Sequence, residues 1–314
     1  MYLILFLLTF CLPWLPSNAF GQPSIKVSYG SLGLSQVVLP LGVHSGIFKK
    51  NNVDAQAVYI AGRSVLALTS GEVKFGFMGG PPAILARLGG TDIVILAGLN
   101  KLDQILVSAP SVNKAEDLIG KRGGISRFGT TSDYGIRLGL KRMNLVPQKD
   151  VAIVQVGDTN ARIGALISGA IHVATLNAGE EATVKKAGLK VLADNSDIPF
   201  PGNTIVTTDS YIKSNKQNVK QFVRSLVDII KFVKTRPEQT KQFLAAFYRE
   251  QDRSTLESRY KTMYEMFPDY PHITKESIEG VIGTLREDGK LKAGVDVNQF
   301  LESSFMKEIE SESR

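Results

Sequence analysis

Two stretches of this chain decide its fold: ALTSGEVKFGFM at residues 67–78 and ALISGAIHVATL at residues 165–176. Each stretch predicts the end of a helix, a tight turn at Ser-Gly and then a short strand. Glycine suits such a turn because the residue that ends a helix often takes a left-handed conformation. Two copies of one unit predict two lobes of similar construction. The alternative is that two unrelated strand and helix units match by chance.

Short apolar segments alternate with helical segments on both sides of this repeat. The segments predicted as strands are residues 25–29, 55–60, 75–78, 93–97, 124–126, 152–156, 173–176 and 191–193. Strands that alternate with helices are typical of α/β proteins. The predicted fold class is therefore α/β with two lobes, followed by helices at the C-terminal end.

Start signals place the helices. The sequence predicts that a long loop at residues 30–36 precedes a helix beginning at Pro40, and that Pro81 opens another helix. A strongly amphipathic helix is expected over residues 215–235. The acidic tail at residues 302–314 is expected to be frayed.

Two extended segments, residues 104–108 and 203–207, are predicted to carry the chain between the lobes. The first lobe would then be discontinuous, with residues 22–106 forming one part and residues 205–314 the other, including the C-terminal helices. Residues 107–204 would form the second lobe as a continuous insertion.

Residues 1–21 predict an export signal, because an apolar segment is followed by small residues suited to cleavage near Ala19 or Gly21. An uncleaved membrane anchor is the alternative. Cys11 is the only cysteine, and bulky Phe10 before it argues against a lipoprotein. The mature protein is expected outside the cytoplasm, in the periplasm or an equivalent compartment, without disulfides or thiolate ligands.

The composition is that of a folded globular protein, with 314 residues, 43% of them hydrophobic and 21% charged. The net charge of +7 raises the question of nucleic acid. However, the basic pairs fall near predicted helix ends, where cations complement the helix dipole. They form no stripe interleaved with aromatic residues, so no nucleic-acid partner is expected.

Catalytic and metal-binding patterns are missing from the sequence. His44, His172 and His272 are scattered without metal-ligand spacing, and no nucleophile elbow, phosphate-binding loop or paired carboxylates stand out. We therefore expect no catalytic residue, no metal and no cofactor, and a protein that is not an enzyme.

The loops that follow the predicted strands carry the candidate ligand-binding residues, because ligands of open α/β sheets lie at the carboxyl ends of the strands. Hydroxyls, flexible glycines and helix N-termini in these loops suit an anion. Capping by Thr130 or Thr131 is the structural alternative, as is plain surface for Arg63. Ligand space is expected between Gly80 and Thr130. The candidates are Ser31, Leu34, Gln36, Arg63, Gly79, Gly80, Phe128, Gly129, Thr130, Thr131, Ser132 and Asn177.

Several ordered motifs resemble the solute-binding proteins of ABC importers. These are PLGVHSGIFKKNNV at residues 40–53, ALTSGEV at 67–73, AEDLIGKR at 115–122 and GTTS at 129–132. The similar branch serves taurine, aliphatic sulfonates, nitrate and thiamine-precursor pyrimidines. This resemblance implies a type II periplasmic-binding-protein fold, in which two lobes joined by two hinge strands close over a small molecule and dock on a membrane permease.

By position, the resemblance implies ligand contacts from residues 31–36, from Gly79 and Gly80, and from residues 129–132. The chain has Asn177 and Ala178 where many relatives have an aromatic residue and a proline, so the ligand stays unnamed. The expected protein is a monomeric receptor for a small anionic molecule. The alternatives are an enzyme on the same scaffold, resembling a thiamine-pyrimidine synthase or a small-acid lyase, and a binding protein that is coupled to a sensor or has no transporter.

Overall fold

Two five-stranded sheets form the framework of the computed structural model, which describes residues 24–291 and 294–313. The predicted signal peptide lies outside the described residues. The strands of the first sheet are β1 (Ile25–Tyr29), β2 (Ala55–Tyr59), β3 (Phe75–Met78), β4 (Ile93–Gly98) and β10 (Thr204–Thr208). Those of the second sheet are β5 (Gln104–Ser108), β6 (Lys121–Ile125), β7 (Val151–Gln155), β8 (Val173–Asn177) and β9 (Lys190–Asp194).

The strand orders reveal the internal repeat. The first sheet runs β2-β1-β3-β10-β4 and the second runs β7-β6-β8-β5-β9, so the duplicated sequences contribute β3 and β8 at equivalent places. The turn before each of these strands is left-handed as expected, with φ of 74° at Gly71 and 71° at Gly169. The predicted α/β class with two similarly built halves is confirmed.

One strand in each sheet runs against its neighbours. β10 is antiparallel to β3 and β4, and β5 is antiparallel to β8 and β9. The chain thus passes from the first sheet to the second between β4 and β5, and it returns between β9 and β10. We call each sheet with its packed helices a lobe. The lobe boundary expected after residue 106 falls inside β5. The boundary expected after residue 204 falls one residue into β10.

Helices cover both sheets. The first lobe carries α1 (Leu34–His44), α2 (Ile47–Lys50), α3 (Ser64–Thr69), α4 (Gly80–Leu88), α8 (Asp209–Ser214), α9 (Lys216–Thr235), α10 (Pro237–Tyr248), α11 (Arg253–Met266), α12 (Lys275–Glu287) and α13 (Ser304–Glu312). The second lobe carries α5 (Thr131–Arg142), α6 (Thr159–Ile167) and α7 (Glu181–Lys186). Two short 3-10 helices, Ala115–Leu118 and Val297–Phe300, complete the described elements. Among the described residues, no helix combines the length and the apolar character that a membrane crossing requires.

The predicted amphipathic helix is α9, and its apolar face forms the centre of the first lobe's core. Phe222 is fully buried and its ring stacks on Phe75 of β3, with the ring centroids 3.8 Å apart. The centroid of the Phe222 ring also lies 5.3 Å from that of Phe48 of α2. This aromatic stack fixes α9 to the sheet, since pairs of aromatic rings add to the free energy gained by burial.

The first helix begins six residues earlier than expected. Pro40 lies inside α1, which starts at Leu34 after Gly33 and not at the proline. Proline interrupts one backbone hydrogen bond of a helix. The helix persists because Leu34, Val37 and Leu41 are all buried in the core, so tertiary packing outweighs the local signal. The predicted loop at residues 30–36 is correspondingly short.

The expectation of a frayed tail is wrong. Residues 304–312 form α13, which packs on α9 through buried Phe305, Met306 and Ile309. Lys220 of α9 binds the carboxylates of both Glu308 and Glu312, at 2.6 and 2.7 Å. The acidic residues thus form the solvent-exposed face of an amphipathic helix. Its buried apolar face stabilises the helix, which the acidic composition did not indicate.

Replacing Phe222 by alanine tests the importance of this stack. We expect Phe222→Ala to lower the free energy of unfolding by about 3–5 kcal/mol, the usual cost of a large cavity in a core. Urea denaturation followed by circular dichroism measures the loss. Leu66→Ala is the control, because Leu66 is 68% exposed and its truncation should cost less than about 0.5 kcal/mol. Equal losses in the two variants would contradict this account of the core.

Candidate functional site

The two lobes meet at the edges where their parallel strands end. The loop after β1 touches the end of β8, since the Asn177 amide nitrogen lies 3.5 Å from Ser31 Oγ and Gly33 packs against the same amide. Nearby, Arg127 Nη1 donates to the carbonyl oxygen of Gly62 at 3.1 Å. Four loops from opposite lobes therefore converge at one place, as the sequence predicted from their positions after strands.

Three hydroxyl groups form a triangle at the start of α5. Ser126 Oγ lies 3.0 Å from Thr130 Oγ1 and 2.7 Å from Ser132 Oγ, and the last two atoms are 3.0 Å apart. The backbone N–H of Ser126 also donates to Ser132 Oγ, at 2.9 Å. We call Ser126, Thr130 and Ser132 the hydroxyl triangle. Such a cluster offers both donors and acceptors at a helix N-terminus, where the backbone dipole favours negative charge.

The hydroxyl of Thr130 does not cap its helix. Thr130 occupies the N-cap position, yet within the described chain its side chain accepts no hydrogen bond from the first turn of α5 and instead donates to the Arg127 carbonyl oxygen at 2.6 Å. The capping alternative considered from sequence therefore does not account for this residue. The first N–H groups of a helix lack partners within the helix itself. In the described chain the N–H groups of Thr131 and Ser132 have no partner, whereas that of Asp133 donates to the Thr130 carbonyl oxygen at 3.0 Å.

The space expected between Gly80 and Thr130 is filled by contact between the lobes. A Cβ atom at Gly79 would overlap Thr131 Oγ1, and this hydroxyl donates to the Gly202 carbonyl oxygen at 3.2 Å. Gly80 is equally crowded, because its N–H donates to the Pro201 carbonyl oxygen at 2.8 Å. The structure thus shows the lobes closed on one another here.

Gln36 serves the loop rather than the cleft. Its amide oxygen accepts from the N–H groups of Gly30 and Ser31 at 2.7 and 2.9 Å, and its amide nitrogen donates to Asn203 Oδ1 at 2.6 Å. The side chain is buried, and both of its polar atoms are engaged within the protein. Leu34 likewise belongs to the core, where it contacts Gly179. These two candidates shape the site from behind.

The remaining candidates border the opening of the cleft. Phe128 is half exposed, and its N–H donates to Gln155 Oε1 at 3.0 Å. Gly129 has a φ of 77°, a conformation that a larger residue would adopt only with strain, and its N–H donates to Asp133 Oδ2. Arg63 is exposed and directly follows Gly62, the residue that Arg127 contacts from the second lobe.

A buried polar network ties the crossing segments to the first lobe. The Asn203 amide nitrogen donates to Asp103 Oδ2 at 2.7 Å and to Ser35 Oγ at 2.9 Å. Asp103 and Asn203 lie on different crossings, so this amide joins the two. Burial raises the pKa of the Asp103 carboxyl to about 6, although hydrogen bonds from Ser35 and Asn203 oppose the change.

An ionic contact also bridges the lobes. Glu180, just before α7, lies 3.7 Å from the guanidinium of Arg259 on α11, and both side chains are largely buried. The same guanidinium stacks on the ring of Tyr248 at 4.1 Å. The Tyr248 hydroxyl donates to the Leu32 carbonyl oxygen at 2.5 Å and so reaches the loop after β1. The same set of contacts therefore joins the two lobes and positions the loop after β1.

Ser126 opens the hydroxyl-rich loop that the sequence indicated, and its hydroxyl completes the triangle. Sequence reasoning missed three residues that the structure places directly behind the triangle, Thr159, Arg162 and Thr175. The sequence feature that could have indicated these residues is Asp158, a typical N-cap residue at the start of α6. Its carboxylate accepts from the Ala161 N–H at 2.9 Å. Within residues 24–291 and 294–313, no three His, Cys, Asp or Glu side chains come together as a set that could hold a metal ion.

The model of the NMT1/THI5-like family matches residues 40–246, about two thirds of the chain. This chain belongs to that family. A taurine-binding periplasmic protein of Escherichia coli is 31% identical over 170 residues, which are 52% of this chain and 52% of that protein. The chain thus aligns with about half the length of this curated relative.

Solved structures share the fold of this NMT1/THI5-like protein. The alkanesulfonate-binding protein from Xanthomonas axonopodis pv. citri, bound to MOPS, has a TM-score of 0.73 at 14% identity and covers 90% of this chain and 98% of its own. The periplasmic nitrate-binding protein from Synechocystis PCC 6803 has a TM-score of 0.74 at 15% identity, covering 92% and 88%. The predicted resemblance to solute-binding proteins and the predicted periplasmic-binding-protein fold are confirmed.

The raised pKa of Asp103 predicts a pH-dependent stability. In the unfolded chain this carboxyl has a pKa of 3.8, so between about pH 4 and 6 the folded protein binds more protons than the unfolded one. The stabilising contribution is therefore complete below about pH 4 and is lost as the pH rises through 6. Relative to Asp103→Asn, the wild-type protein should therefore lose up to about 3 kcal/mol of unfolding free energy between pH 4 and pH 7.

Urea denaturation of both proteins at several pH values measures this difference, and the variant serves as the reference for every other titrating group. If the two proteins keep a constant difference across the range, the Asp103 carboxyl does not titrate in the way its burial implies.

Proposed function

We propose that this protein is an exported receptor that captures a small anionic molecule of the sulfonate or nitrate type between its two lobes. The observation that carries the proposal is the hydroxyl triangle at the N-terminus of α5, which lies where the loops of both lobes converge. The relatives support the anionic class, because one binds taurine and two proteins of the same fold bind an alkanesulfonate and nitrate.

The triangle and the first turn of α5 provide enough interactions for useful affinity. Hydrogen bonds to charged groups contribute about 1.5–3 kcal/mol each, whereas micromolar binding needs about 8 kcal/mol. The hydroxyls of Ser126 and Ser132 and the backbone N–H groups of Thr131 and Ser132 thus suffice for an anion with three oxygen atoms, whereas the Thr130 hydroxyl already donates to Arg127. The same donors serve sulfonate, nitrate and carboxylate groups, so the family relationship and not the triangle alone favours sulfonates.

Capture follows from closure of the lobes. A ligand that contacts both lobes favours the closed arrangement by the difference between its affinities for the closed and open states. The contacts Asn177 to Ser31 and Glu180 to Arg259 already hold the closed arrangement together. We propose that the ligand lies beside the triangle and separates Ser31 from Asn177 and Gly79 from Thr131, which touch directly in this structure, with Phe128 and Arg63 at the entrance.

We further propose that the receptor releases its ligand, unaltered, to an ABC permease and that it acts as a monomer outside the cytoplasm. Incubation with the bound anion followed by mass spectrometry tests the absence of chemistry. A change in ligand mass that depends on the protein would assign it to the enzymes instead. Copurification with the permease and a transport defect on deletion test the partner.

Removal of two triangle hydroxyls tests the site. In Thr130→Ala/Ser132→Ala we expect the affinity for the bound anion to fall at least about tenfold, because at least one charge-assisted hydrogen bond is lost. The unfolding free energy should fall by about 1–3 kcal/mol, because the Ser126 N–H loses the Ser132 hydroxyl that accepts from it. Calorimetric titration with taurine, ethanesulfonate and nitrate measures the affinity.

Thr69→Ala and Ser168→Ala are matched controls. Both hydroxyls are exposed, and each donates only to a carbonyl oxygen of its own helix. The controls should bind as wild type does. Unchanged affinity in the triangle variant would place the anion elsewhere, and native mass spectrometry of protein purified from its host would then identify what it binds.

A further inference from the structure

Arg162 is a buried cation behind the hydroxyl triangle. It lies on α6 with only 4% of its surface exposed. Its guanidinium donates to the carbonyl oxygens of Asp158 and Thr175 and to the hydroxyls of Thr159 and Thr175. All of these acceptors are neutral. Within the described part of the chain, no carboxylate oxygen lies within 4.0 Å of its nitrogen atoms.

An arginine in this setting is energetically unusual. Buried charges are ordinarily paired with an opposite charge, because transfer of an ion from water into a protein interior is costly. Burial lowers the pKa of Arg162 to about 10, which still leaves the group protonated at neutral pH. The positive charge is therefore present, and all of its hydrogen-bond partners are neutral groups. Any anion that approaches would lower its energy further.

The position of the guanidinium connects it to both parts of the candidate site. Thr175, which accepts from it, donates its hydroxyl to the Ser132 carbonyl oxygen at 3.1 Å, directly below the triangle. Thr159, its other hydroxyl partner, lies 3.3 Å from the Asn177 amide nitrogen that reaches the first lobe. The helices α5 and α6 both begin at this edge, since each follows a strand of the parallel set β6 and β7.

Nearby carboxylates do not cancel this charge. Asp158 attracts it from the N-cap of α6, but this side chain is exposed to solvent and its Oδ1 accepts from the Ala161 N–H. Asp133, in the first turn of α5, is paired with Arg137 at 2.6 Å. The edge of the second lobe therefore combines three sources of positive potential, Arg162 and the N-termini of α5 and α6, with carboxylates that are exposed or already paired.

We propose that Arg162 is the residue that restricts this site to anions, acting as a buried counter-charge through Thr175 and Thr159 without touching the ligand. This inference rests on the proposed function and narrows it. The neutral pyrimidines that the sequence resemblance left open gain nothing from the counter-charge, whereas a sulfonate or nitrate does. Arg162 is thus a positioning and specificity-determining residue.

Paired ligands of matched shape separate charge from structure. Calorimetric titrations compare ethanesulfonate with ethanesulfonamide, and nitrate with nitromethane, on wild type, Arg162→Met and Arg162→Lys. Wild type should bind an anion at least about tenfold more tightly than its neutral partner. Arg162→Met should lose at least about tenfold in affinity for the anion and less than about threefold for the neutral molecule. Arg162→Lys should restore most of the preference.

Arg142→Met is the control for net charge, because Arg142 is a partly exposed cation that pairs with Asp197 far along α5. It should keep the wild-type preference. Equal losses for anion and neutral partner in Arg162→Met would assign Arg162 a merely structural role and overturn the proposal. If Arg162→Met does not fold, Arg162→Gln replaces it. Absence of a preference for anions in the wild-type protein would by itself overturn the proposal.

The outcomes also separate this inference from the proposed function. A wild-type protein that binds no anion of the panel overturns both. Tight anion binding that survives in Arg162→Met overturns the role of Arg162 alone and leaves the receptor for anions intact.

Discussion

Each sheet of this protein is completed by a strand that comes from a crossing between the lobes. β10 lies between β3 and β4, and β5 lies between β8 and β9, so the second sheet begins with the first crossing and the first sheet is complete only after the second. The two crossings are in turn joined by Asn203, which reaches Asp103 and also Gln36. Through Gln36 the same network holds the N–H groups of Gly30 and Ser31. The geometry of the candidate site thus depends on the hydrogen bonds that join the two crossings.

Much of this fold follows from local sequence signals. The duplicated stretches predict β3 and β8 and the left-handed glycines before them, and the period of apolar residues predicts α9 within one residue. Signals failed where packing opposes them. The proline at 40 and the acidic tail both suggested the wrong boundaries, because the buried faces of α1 and α13 decide those elements. The glycines at 123 and 124 likewise concealed the middle of β6, where helix α5 packs closely against the strand.

The candidate site was predictable by place but not by contact. That loops after parallel strands converge follows from topology, and the hydroxyl-rich start of α5 stands out in the sequence. Which side chains face the cleft does not follow from it. Gln36 and Leu34 turned inward because their neighbours are buried, and Arg162 gave no sign, since an arginine in an amphipathic helix is most often on the surface. The closed contact of Gly79 with Thr131 depends on how two lobes meet, which no local pattern encodes.

The packing of α13 on α9 determines which lobe is attached when the protein is immobilised through one end of its chain. β1 and α13, near opposite ends of the described chain, both belong to the first lobe, and their apolar residues share one core. A tether or fused tag at either end would therefore immobilise the same half. The other half, with α5 and α6, would carry no tether, so surface attachment through a terminus is compatible with the proposed closure of the lobes over a ligand.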